Sequence, residues 1–87
     1  MEIDNFRAAE QGDANAKFVL GNKYRDGQGV SQDYEMALKW FTLAAAQGHA
    51  AAQNALGNMY YYGEGVPQEY KQAVKWYTQA AEQGYVG

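Results

Sequence analysis

The stretch LGNMYYYGEGVPQEYKQAVKW, residues 56–76, decides the fold, because the chain contains it twice. Residues 20–40, LGNKYRDGQGVSQDYEMALKW, hold the same Leu-Gly-Asn, the same GxGV turn, and the same tyrosine, alanine, lysine and tryptophan at matching positions. Working outward, residues 11–46 superpose on residues 47–82 at an offset of 36, with 19 identities, far above chance. Shorter copies flank them: AAEQG at 8–12 matches AAAQG at 44–48 and AAEQG at 80–84. Self-similarity at such a period signals stacked repeats, each burying its apolar face on the next. The expected organisation is one repeat domain over 1–87: an N-terminal helix or cap at 1–10, repeats at 11–46 and 47–82, and the start of a truncated further repeat at 83–87.

Each repeat reads as two helices. Asp13 suits an N-cap, and Ala16, Leu20 and Tyr24 follow as one stripe of a helix A that ends at Gly27, a position repeated by Gly63. A helix B begins near Ser31 to Tyr34, with Asp33 at the positive end of its dipole and Pro67, in the second copy, suited to a first-turn position. Its stripe of Tyr34, Ala37, Leu38, Phe41, Ala44 and Ala45 is widened by Trp40, and so broad an arc implies packing on two sides. Gly21 and Gly57 lie inside helix A, where glycine costs about 1 kcal/mol against alanine. A repeated glycine there implies a close helix approach, for which the ring of Trp40 or Trp76 is the expected filler. The fold class is therefore all-α, a solenoid of helix-turn-helix units.

Composition excludes several functions. The net charge is −3, with no stripe of Lys or Arg to meet phosphates, so nucleic acid is not an expected partner. No run of about 18 apolar residues occurs, so direct membrane insertion is not expected. Without cysteine, thiol catalysis and cysteine-ligated zinc are excluded. His49, the one histidine, stands at a turn position that holds Asp13 and Tyr85 in the other copies, with no carboxylate at ligand spacing. The GQGV and GEGV loops follow a helix and lack a Lys-Ser/Thr tail, which sets them apart from phosphate-binding loops. Ser31, the only serine, lies in no nucleophile motif. No catalytic, cofactor-binding or metal-binding residue is expected.

The succession LGNxY, GxGV, YxxAxKW and AAxQG on a 36-residue period resembles the Sel-1-like repeat (SLR) family. The resemblance spans essentially the whole chain. Plain tetratricopeptide repeats, with a unit of about 34 residues, lack the glycine-bracketed loop. The resemblance implies a tetratricopeptide-like α/α superhelix whose members serve as adaptors for protein complexes, commonly in bacteria. Some cysteine-rich relatives have been linked to β-lactams, but the absence of cysteine pairs and of a serine motif argues against carrying that activity over.

The same resemblance implies a concave wall lined by helix A, where a peptide or protein partner would dock. By position, the residues facing it are Asn15, Phe18, Asn22, Arg25 and Asp26, then Ala51, Asn54, Asn58, Tyr61 and Tyr62. Asn22 and Asn58 recur off the core stripe, and an amide there can grip a peptide backbone or simply bond a neighbouring group. Tyr61 and Tyr62 replace Arg25 and Asp26, so repetition does not require them for packing, and exposed tyrosine is a frequent interface anchor. A structural alternative is that the chain extends a longer solenoid or forms a homo-oligomer. In that case the outer face of residues 69–83 would pair through Tyr70, Val74 and Tyr77, while Ile3 and Phe6 face the first repeat.

Overall fold

The computed structural model describes residues 5–85, and among them lie five helices: α1 (Asn5–Glu10), α2 (Ala14–Asp26), α3 (Tyr34–Ala46), α4 (Ala50–Tyr62) and α5 (Tyr70–Glu82). Their boundaries follow from caps. Asp13 Oδ1 accepts from the Ala16 N–H at 3.0 Å, and Asp33 Oδ1 accepts from the Met36 N–H at 3.1 Å, each satisfying a first-turn donor. His49 does the same for α4, its Nδ1 accepting from the Ala52 N–H at 3.1 Å. Glu69 holds the fourth such position without a side-chain bond to its helix. Gly27 and Gly63 stop α2 and α4 in the left-handed region, at φ of 71° and 70°, where a side chain would be strained. Beyond them the repeated Gln32 and Gln68 donate from Nε2 to the carbonyls of Arg25 and Tyr61, both at 2.8 Å, and close the loop on the end of its helix. Pro67 departs from expectation: it precedes the Glu69 cap, outside the first turn of α5.

Each helix packs on the next in sequence, so α2 and α3 form one pair, α4 and α5 another, and α3 joins them by lying on α4. The principal core is built from that junction: Ala37, Phe41, Ala44 and Ala45 of α3 with Ala52, Ala55, Leu56 and Met59 of α4. Alanine dominates because small side chains let the helix axes approach, and Phe41, wholly buried, fills the space left.

The ring opposite the repeated glycine is not tryptophan. A Cβ at Gly21 would stand 2.4 Å from Phe41 Cε1, and one at Gly57 would stand 2.7 Å from Tyr77 Cδ1. The tryptophans, one residue earlier on α3 and α5, pack elsewhere. Trp40 packs with Ala9, Ala16 and Leu20 of α1 and α2, and Trp76 packs on the cluster of α3 and α4. Trp40 Nε1 is buried without a partner among the described residues.

The glutamine of AAxQG explains its own repetition. Gln47 Nε2 donates to the Gly12 carbonyl at 2.8 Å while its Oε1 accepts from Lys17 Nζ at 2.7 Å. Gln83 Nε2 donates to Oε1 of Gln53, itself buried and donating to the Ala45 carbonyl at 3.2 Å. Each glutamine thus ties the end of a helix B to the start of the helix A before it. At the N-terminal end Phe6 stays 42% exposed, meeting Tyr24 edge-on at 6.4 Å. Ile3 lies outside the described residues.

Candidate functional site

An open hollow of about 450 Å³ lies where the two repeats meet, lined by Arg25 and Asp26 of α2, Gln32 and Tyr34 of the first loop and α3, Asn58 and Tyr62 of α4, and Glu64 of the second loop. Its shape comes from the stacking of one glycine loop on the other repeat. A Cβ at Gly65 would stand 3.0 Å from the Cβ and carbonyl oxygen of Tyr34, so only glycine lets residues 63–66 lie against the start of α3.

Of the expected docking residues, Arg25, Asp26, Asn58 and Tyr62 line this hollow. Arg25 Nε donates to Asp26 Oδ1 at 3.1 Å, and its guanidinium lies 5.7 Å above the Phe41 ring, so it is held toward the helix interface. Asn58 Oδ1 accepts from the Tyr77 hydroxyl. Burial, with the neighbouring phenols of Tyr62 and Tyr61, pushes the Tyr77 pKa up, so that hydroxyl keeps its proton and remains the donor. This bond leaves the Asn58 amide nitrogen unengaged among the described residues. Asn22 has no matching bond, because Phe41 stands where Tyr77 would supply the hydroxyl.

Tyr61 and Tyr62 are 43% and 66% exposed and meet edge to face at 4.9 Å. Tyr61 also packs on Tyr70 of α5 at 5.2 Å, and Tyr70 is 57% exposed. The three rings form one outward patch beside the hollow. The remaining expected residues fall elsewhere. Asn15 and Phe18 gather at the N-terminal end of α2 around His49, whose Nε2 lies 3.3 Å from Asn15 Oδ1 and whose ring stacks on Phe18 at 4.9 Å. Phe18 also packs on Phe41, so it is half core. Asn22 and Asn54 are half-buried and do not line the hollow.

Sequence reasoning missed Gln32, Tyr34 and Glu64, and it assigned Tyr70 to the pairing face of α5 without its contact to Tyr61. Glu64 carried a usable signal, since it replaces Gln28 directly after the unrepeated Tyr61 and Tyr62. Tyr34 did not, because its place on the apolar stripe made it look like core. Among the described residues no group of three or more His, Cys, Asp or Glu side chains could hold a metal ion, and no helix is long and apolar enough to cross a membrane.

The Sel1 repeat family model matches residues 14–49 and 50–85. Among solved structures, the chain is similar to a protective antigen present in uropathogenic Escherichia coli strains and displaying an SLR fold, at 48% identity and a TM-score of 0.91 over 93% of this chain and 17% of that one. It is similar to a Sel1 repeat protein from Oxalobacter formigenes at 41% identity and a TM-score of 0.90, over 92% of this chain and 61% of that one. Helicobacter pylori cysteine-rich protein B follows at 30% identity and a TM-score of 0.88, over 93% of this chain and 61% of that one. No curated protein matches the chain. Sel1 repeat proteins generally bind other proteins as non-enzymatic scaffolds. With two matched repeats meeting end to end and the same stacked helix pairs, the chain belongs to the Sel1 repeat family.

Proposed function

We propose that this chain is a non-enzymatic scaffold or adaptor module that docks a peptide or protein partner along α2 and α4. The observation that carries this reading is the contiguous patch of Tyr61, Tyr62 and Tyr70, whose rings pack on each other in the open beside a polar hollow. Large amphipathic rings held rigid at the surface are what interfaces use as anchors, since little side-chain entropy is lost on binding. Asn58, oriented by Tyr77, offers its amide nitrogen to a backbone carbonyl of the partner. We take Asn22 and Asn54, half-buried on α2 and α4, and Asn15 and Phe18, beside His49, as further contacts of the same partner.

The test is a Tyr61→Ala, Tyr62→Ala double variant. It should keep wild-type helical circular dichroism, because neither ring is buried, and should hold a partner isolated with the parent chain about tenfold more weakly or worse. A folded double variant with undiminished affinity overturns the reading.

A second reading rests on a separate observation. Val74 of α5 is 61% exposed, and Ala81 is exposed where its counterpart Ala45 is buried against α4. The outer face of α5 therefore suits a further helix A, from a longer solenoid or from a second copy.

A further inference from the structure

The hollow between the repeats has an unbalanced charge. Three charged side chains line it, and two of them neutralise each other: Arg25 is bonded to Asp26 at 3.1 Å and directed over the Phe41 ring. The third, Glu64, is half-buried and makes no ion pair or hydrogen bond through its carboxylate among the described residues. Beside it stand two phenol rings, Tyr34 and Tyr62, and the Asn58 amide. Tyr62 and Glu64 are both particular to the second repeat, replacing Asp26 and Gln28, so packing of the repeat does not account for them.

A half-buried carboxylate beside two phenol rings is a combination that favours a cation. The ring faces carry negative potential, and the carboxylate supplies the countercharge in a place partly screened from water. An acidic side chain would be repelled by Glu64, and an aliphatic one would desolvate that carboxylate without replacing its water. The chain as a whole, at −3, favours the approach of a basic segment.

We propose that the hollow receives the arginine side chain of an extended partner segment. Glu64 pairs with the guanidinium through two parallel hydrogen bonds, the Tyr62 and Tyr34 rings cover its planar face, and the Asn58 amide nitrogen donates to an adjacent backbone carbonyl of the segment. Arginine suits the site better than lysine because a planar fork both pairs with a carboxylate and stacks on phenols. This assignment rests on the docking reading above and gives it a ligand chemistry.

The experiment titrates blocked glycine-serine heptapeptides with one central arginine, glutamate or norleucine into the isotope-labelled chain and follows its amide resonances. The arginine peptide should shift the Glu64 and Gly65 amides saturably, with a dissociation constant on the order of 1 mM that weakens with added salt. The glutamate peptide should leave them unmoved. Glu64→Gln should weaken arginine binding by about two- to fivefold, and it should fold, since Gln28 occupies the same place in the first repeat. No saturable shift with arginine, equal binding of norleucine, or indifference to Glu64→Gln overturns the proposal. The docking reading survives those results if the Tyr61, Tyr62 double variant still loses a whole partner, so the two fail separately.

Discussion

His49 caps α4 through Nδ1, which requires a neutral ring with its proton on Nε2, the nitrogen that meets Asn15 Oδ1. Burial lowers its pKa below the ordinary 6.5, although the Asp13 carboxylate pulls the other way. The unfolded chain therefore takes up this proton more readily than the folded one. The stability owed to the neutral cap is complete above pH 6.5 and is lost as the pH falls through 6.5 toward the lowered folded value. Protonation turns Nδ1 into a donor facing the Ala52 N–H and sets a cation at the positive end of α4. His49→Asn retains a capping oxygen that does not titrate. Between about pH 7.5 and 5.5 the melting temperature of the parent should fall further than that of His49→Asn. Equal falls would show that the cap is not coupled to protons. The turn position of His49 was legible from its alignment with Asp13. Its contact with Asn15 and its stacking on Phe18 were not, because both depend on how the first repeat meets the second.

At the scale of helices, close approach rather than propensity decides the repeated glycine. In an exposed helix Gly→Ala stabilises by about 1 kcal/mol. At Gly21 the added methyl would lie 2.4 Å from a ring carbon of Phe41, a residue with no exposed surface and no room to turn. Overpacking of this kind costs about 1–3 kcal/mol, so Gly21→Ala should be less stable than the parent in urea unfolding. A variant as stable as the parent would mean that α2 and α3 part easily. The glycine was readable as a mark of close approach, whereas its filler was not. Neighbouring positions such as Trp40 and Phe41 point about 100° apart, and the period says which face is apolar but not which helix lies opposite it.

For the molecule as a whole, the first repeat supplies a template for the second. Leu38, Phe41 and Ala45 of α3 are covered by α4, whereas Val74 is 61% exposed, Tyr77 half-buried and Ala81 exposed on α5. If that face joins copies, the weight-average sedimentation coefficient of the 87-residue chain should rise with concentration, and Val74→Asp should flatten the rise without loss of helicity. A sharp monomer at high concentration counts against it.

The sequence by itself determined the repeat, the helix pairs and their caps, because these depend on residues a few positions apart: an aspartate three residues before an amide, a glycine one residue past the last turn. It also singled out Tyr61 and Tyr62, since residues that break a repeat are free of its packing. Only the tertiary structure decided that Phe41 and Tyr77 fill the glycine gaps, that Tyr77 orients Asn58, and that Tyr34, Glu64 and Arg25 come together at one hollow. The reason is stacking. Those groups lie on different helices and loops, and their meeting is set by how closely alanine and glycine let one repeat settle on the other.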